Sequence, residues 1–243
     1  MSIDGVLFDK DGTLISFQDT WGPAVHAVIH ALADGDADKL RAQAECLHFS
    51  IEEKRFLLTS PLIAGSSASY GKLWGDALGR TDLLELKREI DALTAVESLK
   101  SLTPIGDPLL IFDALKHMGL RLGLATNDSE ASARRQIEAL RLGTAMEFVA
   151  GYDSGHGSKP APGMILAFAR QIGVAPARVA MVGDTLHDLD CARAAGAVAI
   201  AVLTGPARRI DLEPHADHVI EDIAALPALL ARLLEIERAH SDA

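Results

Sequence analysis

Short apolar runs that end in polar residues alternate along the chain with segments of helical spacing. The runs are continuous and rich in β-branched residues, which is typical of parallel strands buried on both faces of a sheet. Four runs predict strands, and a fifth is weaker: residues 3–8, 120–125, 179–182 and 198–203, with 148–150 as the weaker one. Strands that alternate with helices are typical of βαβ units.

Capping residues mark the helices between these strands. We predict core helices over residues 109–118, 164–172, 189–195 and 223–236. Asp107 and Pro108 supply an N-cap and a first-turn proline for the first helix. A glycine follows each of the first three helices, where a left-handed residue commonly ends a helix. The last helix is predicted in spite of Pro227.

About a hundred residues separate the first two predicted strands, far more than one crossover connection requires. Helical spacing recurs within this stretch over residues 21–32, 38–47, 69–78 and 82–93. We therefore predict a mostly helical inserted domain over residues 16–97, within a core of residues 1–15 and 98–243. Residues 49–58 fit either a hairpin or a kinked helix. The predicted fold class is α/β, a doubly wound, Rossmann-like parallel sheet with this insertion.

Composition and charge narrow the possible partners and compartments. The 23 Lys and Arg against 34 Asp and Glu leave a net charge of −11 without a basic block, which argues against nucleic acid as a partner. The longest apolar run, residues 194–203, is too short for a membrane helix, and no apolar leader opens the chain. Two cysteines without metal-ligand spacing fit a reducing compartment. We expect a cytoplasmic protein with no membrane partner.

Two acidic residues follow the first predicted strand, and two more follow the strand predicted at residues 179–182. Taken alone, Asp9 and Asp11 are typical of an Asp-Gly turn, and Asp184 and Asp188 of a helix N-terminus. If the two strands are neighbours, all four acids crowd one crevice, and each pair at ~4 Å costs about 4 kcal/mol at an effective dielectric constant near 20. A divalent cation would offset this repulsion, and oxygen ligands favour Mg²⁺ over zinc.

Two further segments carry groups that could bind an anion. Thr126 and Asn127 follow the strand at residues 120–125 with a hydroxyl and main-chain N–H groups, and Lys159 lies in a proline-containing loop before a helix. The plainer interpretations are a helix cap at Ser129 and a solvated loop lysine. Together with the acids and Mg²⁺, these groups favour phosphoryl transfer, which depends on positioning and charge neutralisation.

Four motifs, in this order, resemble those of the haloacid dehalogenase-like superfamily. They are DKDGT at residues 9–13, TN at 126–127, KP at 159–160 and GDTLHD at 183–188. The resemblance covers residues 1–15 and 100–220, and the insertion is similar to the helical cap of the phosphoglycolate phosphatase-like branch. One departure is Gly163, where this branch often has an acidic residue.

The resemblance implies a role for each matching residue. Asp9 would attack phosphorus and form an aspartyl-phosphate, while Asp11 would protonate the leaving oxygen and then activate water. Mg²⁺ would be held by Asp9, Asp184 and the main-chain carbonyl of Asp11, with Asp188 acting from outside the coordination sphere. The substrate-binding residues would be Gly12, Thr126, Asn127 and Lys159.

The resemblance thus implies a Mg²⁺-dependent phosphatase that acts on small phosphomonoesters such as phosphoglycolate or sugar phosphates. A cap that closes over Asp9 and Asp11 would exclude bulk water and leave room only for a small substrate. The closest alternative is a phosphomutase of the same fold, which returns the phosphoryl group to a sugar. A phosphate-binding module without turnover is less favoured because Asp9 and Asp11 are both intact.

Overall fold

A computed structural model describes residues 3–63 and 67–241 of the chain. The chain divides into two compact units. The second unit is the segment Phe17–Thr103, and the first consists of the chain on either side of it.

Eight strands and ten α-helices are found in the described residues. The strands are β1 (Gly5–Phe8), β2 (Phe49–Ser50), β3 (Arg55–Phe56), β4 (Arg121–Ala125), β5 (Phe148–Ala150), β6 (Val179–Gly183), β7 (Val198–Val202) and β8 (His218–Ile220). The helices are α1 (Phe17–Ala33), α2 (Ala37–Cys46), α3 (Ser67–Leu78), α4 (Leu83–Lys100), α5 (Pro108–His117), α6 (Glu130–Ala139), α7 (Gly163–Ile172), α8 (Leu186–Ala195), α9 (Arg209–Leu212) and α10 (Leu226–Ser241).

The first unit is built on a six-stranded parallel sheet in the order β5-β4-β1-β6-β7-β8. From β1 the chain builds the sheet outward through β4 and β5 and then returns to the other side of β1 with β6. The topological switch point therefore lies at β1, between β4 and β6, and ligands of such sheets bind beyond the carboxyl ends of the strands at this point. The predicted doubly wound α/β class is confirmed.

Helices cover both faces of this sheet. Phe8 stacks on Phe112 of α5 with ring centroids 4.8 Å apart. Leu7 belongs instead to the core cluster around Phe168 of α7. Because successive residues of a strand point to opposite faces, α5 and α7 pack on opposite sides of the sheet. All four residues of β1 are buried, as the continuous apolar run predicted.

The second unit is mostly helical, with its own apolar core around Trp74. The Trp74 Nε1–H donates to Gln43 Oε1 at 2.7 Å, which satisfies two buried polar groups. Strands β2 and β3 pair as a short antiparallel hairpin. The hairpin is therefore the correct one of the two interpretations of residues 49–58.

Several predicted boundaries differ from the structure. Helix α4 continues to Lys100, so the expected end of the insertion at residue 97 lies inside a helix. Residues 223–225 form a 3₁₀ turn, and α10 begins only at Leu226. The reason is Pro227, which lacks an N–H group and is tolerated only in the first turn of a helix. Strand β8 was not predicted, because its three residues are only partly buried.

Within the residues described, no helix combines the length and the apolar composition that crossing a membrane requires.

Candidate active site

The predicted motifs meet because their strands are neighbours in register. Phe8 pairs with Leu124 of β4 on one side and with Val182 of β6 on the other. The Asp9 N–H donates to the Val182 carbonyl at 2.8 Å, just beyond the end of β1. Asp9 therefore lies at the switch point, flanked by the residues that follow β4 and β6.

A buried lysine joins two of the predicted acids. The Lys159 ammonium donates one hydrogen bond to Asp9 Oδ1 and another to Asp188 Oδ1, the second at 2.6 Å. All three side chains are buried. The loop lysine of the sequence is therefore not solvated. A phosphoryl group attached to Asp9 would lie within reach of its charge.

Asp188 uses both of its oxygens within the protein. While Oδ1 accepts from Lys159, Oδ2 accepts from the N–H of Thr185 at 3.1 Å and from its hydroxyl at 2.7 Å. Asp188 thus stabilises the start of α8 and orients Lys159 at the same time. This arrangement agrees with a supporting role outside the metal coordination sphere.

Asp184 is enclosed by the backbone of two loops. The Thr13 hydroxyl donates to Asp184 Oδ1 at 3.2 Å. A Cβ at Gly12 would lie 2.3 Å from Asp184 Oδ2, and a Cβ at Gly205 would lie 1.7 Å from it. Gly12 also has φ +84°, a conformation that favours glycine. Both glycines are required for the carboxylate to sit where it does.

Sequence reasoning missed the loop that carries Gly205. Thr204, next to it, donates its hydroxyl to the Gly12 carbonyl at 2.5 Å, so the loop after β7 also fixes the turn after β1. A signal was present, because Thr204 and Gly205 follow a predicted strand at the same edge of the sheet. Arg208 and Arg209, further along the chain from Gly205, are both exposed.

The side chain of Asn127 binds the main chain of Lys159. Its Nδ2 donates to the Lys159 carbonyl at 3.1 Å, and its Oδ1 accepts the Lys159 N–H at 2.9 Å. The Asn127 side chain therefore positions the lysine, a contact that its predicted role in substrate binding did not include. Thr126 is buried beside it, and its hydroxyl accepts the Asp128 N–H at 3.0 Å.

The glycine at position 163, where the phosphoglycolate phosphatase-like branch often has an acidic residue, has a local structural reason. A Cβ at this position would lie 1.9 Å from the main-chain oxygen of His156. An acidic side chain would displace the loop that precedes α7. Lys159 is positioned by Asp9, Asp188 and Asn127, none of which depends on residue 163.

Asp11 lies apart from the buried group and is paired with Lys10. The Lys10 ammonium is 2.9 Å from Asp11 Oδ2, and the Asp11 side chain is 21% exposed. Unlike Asp9, Asp184 and Asp188, Asp11 therefore remains accessible to a substrate or a water molecule. Lys10 itself is buried.

Burial governs the electrostatics of the site. Desolvation raises the pKa of Asp9 to about 7, although the charge of Lys159 opposes the rise. Burial and the charge of Asp9 raise the pKa of Asp184 well above its usual value. Burial alone would lower the pKa of Lys159, but Asp188 and Asp9 raise it above its ordinary value, so the lysine stays charged.

The oxygen atoms of this site suit a divalent cation. Among the described residues, Asp9, Asp184 and Asp188 each offer one carboxylate oxygen within 4.8 Å of the others. A bound divalent cation would favour the ionised form of all three carboxylates, and their charges together with that of the Lys159 ammonium would leave two negative charges for the cation to balance. Hard oxygen ligands without sulfur or imidazole are typical of Mg²⁺ rather than of zinc.

Replacing Gly205 with alanine is expected to weaken this site. The new Cβ would overlap Asp184 Oδ2, so the carboxylate must move, and we expect kcat/KM to fall by about tenfold or more. The measurement compares Gly205→Ala with Gly71→Ala, a matched change in α3 where a Cβ meets no atom within 4 Å. Equal activity of both variants would show that the Asp184 position does not matter.

Comparison with known proteins agrees with the geometry. Residues 3–196 match the family of haloacid dehalogenase-like hydrolases. The chain is 31% identical over 202 residues to "Probable phosphatase IndB" of Dickeya dadantii, which covers 82% of this chain and 81% of the relative. It is 29% identical over 221 residues to the phosphoglycolate phosphatase of Rhodospirillum rubrum, covering 91% and 88% of the two chains.

A solved structure shares the fold. A predicted phosphoglycolate phosphatase from Haemophilus somnus aligns with a TM-score of 0.71 at 18% identity, over 94% of this chain and 98% of that chain.

Proposed function

Since the chain belongs to the haloacid dehalogenase-like hydrolase family and is a phosphoric monoester hydrolase, we propose that it hydrolyses small phosphomonoesters through an aspartyl-phosphate on Asp9, with Mg²⁺. The observation that carries this proposal is the hydrogen bond from the Lys159 ammonium to the Asp9 carboxylate. It lies at the switch point, beside the buried Asp184. In this proposal Asp9 is the nucleophile, Lys159 supplies a fixed positive charge and Asp184 is a metal ligand; the contact between Lys159 and Asp9 and the closeness of Asp184 support it.

In the first step, Asp9 attacks phosphorus as the bond between phosphorus and the leaving oxygen breaks. Asp11 donates its proton to that oxygen, so the alcohol leaves as a neutral molecule. Lys159 donates hydrogen bonds to the transferred phosphoryl oxygens. Thr126 can do the same, because its hydroxyl accepts from Asp128 and retains its own proton for donation.

In the second step, Asp11 is a carboxylate and removes a proton from a water molecule. That water attacks the phosphorus of the aspartyl-phosphate, the bond to Asp9 breaks, and inorganic phosphate leaves. Asp11 is suited to both steps because it is the accessible acid of the motif. Both carboxylates return to their starting protonation states.

We assign the metal ligands to Asp9, Asp184 and the main-chain carbonyl of Asp11. When bound there, Mg²⁺ neutralises the negative charge that builds up on the phosphoryl group. Asp188 is not included, because donors from Lys159 and Thr185 occupy both of its oxygens.

Phosphate release from a panel of phosphorylated metabolites, assayed with Mg²⁺, tests the proposal. We expect turnover of simple monoesters without any added sugar bisphosphate. A strict requirement for a sugar bisphosphate would identify a phosphomutase instead. Failure to release phosphate from any monoester would contradict the proposed function.

Asp11→Ala is expected to lower kcat by 10²- to 10⁴-fold, the usual contribution of general acid and base catalysis. Because the side chain is partly exposed and outside the core, the fold should be retained. Asp153→Ala, on the loop after β5, is a control whose carboxylate accepts only a main-chain N–H among the bonds described. An unchanged rate for Asp11→Ala would remove the acid and base role.

We also propose that the segment Phe17–Thr103 acts as a cap that restricts substrates to small molecules. The chain enters this segment six residues after Asp11 and leaves it just before α5. Competition between phosphoglycolate, a phosphopeptide and a 5′-phosphorylated oligonucleotide should favour phosphoglycolate in kcat/KM. Higher kcat/KM for either large substrate would contradict a closing cap.

We also propose a cytoplasmic location, which the two free cysteines, Cys46 and Cys191, support.

A further inference from the structure

Lys10 lies between the two acids of the first motif, and the mechanism above gives it no role. Its side chain is 1% exposed. Its ammonium donates to Gln136 Oε1 at 2.6 Å and to Asp128 Oδ2 at 2.9 Å, and it lies 2.9 Å from Asp11 Oδ2. A buried ammonium with three oxygen partners has a fixed position, since its three N–H donors are directed to them.

The partners of Lys10 connect Asp11 to residues 126–129, which contain the proposed phosphate-binding hydroxyl of Thr126. Asp128 Oδ1 accepts the Ser129 N–H at 2.7 Å, and the Asp128 N–H donates to the Thr126 hydroxyl. Gln136 lies on α6, which Ser129 caps. The chain of contacts therefore runs from Asp11 through Lys10 and Asp128 to Thr126.

We propose that Lys10 is a positioning residue for phosphoryl transfer, which holds the Asp11 carboxyl at a fixed distance from the phosphate-binding hydroxyl of Thr126. Asp11 is partly exposed, and a carboxyl at the surface would otherwise sample several rotamers. Its second oxygen can then face the leaving group while Oδ2 contacts Lys10. This inference rests on the proposed function, because it concerns the acid step of that reaction.

The experiment exploits the fact that a good leaving group does not need a proton. Phenyl phosphate and p-nitrophenyl phosphate have similar size, but phenolate leaves far less readily than p-nitrophenolate. The value of kcat/KM reports on formation of the aspartyl-phosphate, in which Asp11 donates the proton. The ratio of kcat/KM for the two esters therefore measures how well Asp11 is positioned as an acid.

Lys10→Met keeps an unbranched chain as long as the lysine side chain up to its Cε and removes the ammonium. We expect kcat/KM for phenyl phosphate to fall at least about tenfold further than for p-nitrophenyl phosphate. Asp128→Asn, which keeps Lys10, should change the ratio in the same direction by a smaller factor. Phe112→Leu removes packing on Phe8, two residues before Lys10, and should leave the ratio as in the wild type.

Each outcome decides the inference. Equal losses for both esters in folded Lys10→Met would mean that the lysine is merely structural, and the inference would be wrong. If Lys10→Met does not fold, an unchanged ratio in Asp128→Asn overturns the inference, and a ratio changed as expected supports it. A wild-type protein that hydrolyses neither these esters nor any monoester of the metabolite panel with Mg²⁺ refutes the proposed function and this inference together. Wild-type activity with unchanged ratios in both variants refutes only the inference.

Discussion

Asp9→Asn is expected to lower phosphatase turnover by about 10⁴-fold or more, because an amide of the same shape is a very poor nucleophile. The variant also loses the carboxylate on which the Lys159 ammonium lies. The structure predicts that it stays folded, since desolvation raises the pKa of Asp9 to about 7 and a neutral group is therefore less costly there than a charge.

The control for this prediction is Asp4→Asn, the same chemical change near the other end of β1. Asp4 forms a partly exposed ion pair with Arg178, and such pairs contribute about 0 to 1 kcal/mol to stability. We expect Asp4→Asn to turn over substrate at the wild-type rate. Both variants should unfold at similar temperatures. Substantial activity of Asp9→Asn, in a preparation free of wild-type protein, would exclude Asp9 as the nucleophile.

Removal of metal is expected to have an effect of similar size. Exhaustive chelation should stop phosphate release and added Mg²⁺ should restore it, because without the cation nothing offsets the repulsion between the clustered carboxylates and an anionic substrate. Asp184→Asn should lose most of the activity and require far more Mg²⁺ for what remains. Activity that survives chelation would contradict the metal assignment.

A binding measurement separates metal affinity from catalysis. A ligand at about 100 times its Kd stabilises the native state by about 2.7 kcal/mol, so Mg²⁺ should raise the melting temperature of the wild type. Asp184→Asn should lose this rise. Asp190→Asn, on the exposed side of α8 beside His215, should retain it. A wild-type protein whose melting temperature does not respond to Mg²⁺ would indicate that these carboxylates do not form a metal site.

The sequence predicted the parts of the site that stand at strand ends. Asp9, Thr126 and Asp184 each follow an apolar run, and parallel strands bring such positions to one edge. The same continuous apolarity predicted the sheet and its burial. These features depend only on local pattern and on the general rules of parallel sheets.

Contacts between distant loops could not be predicted in this way. No local pattern shows that Gly205 must lie against Asp184, since the backbone approach arises only after β7 has paired with β6. The partners of Lys10 are similarly remote, because Gln136 lies 126 positions away along the chain. The sequence shows only that Lys10 stands between two acids, and its partners become known when α6 is placed beside it.

Covalent trapping of the intermediate tests the central claim most directly. Borohydride reduces an acyl phosphate to an alcohol, so protein quenched with borohydride during turnover should carry homoserine in place of aspartate at position 9. We predict this conversion only when substrate and Mg²⁺ are both present, with Asp11, Asp184 and Asp188 unchanged in the same peptide map. An unmodified Asp9 in protein that releases phosphate, or conversion of a different carboxylate, would contradict an aspartyl-phosphate on Asp9.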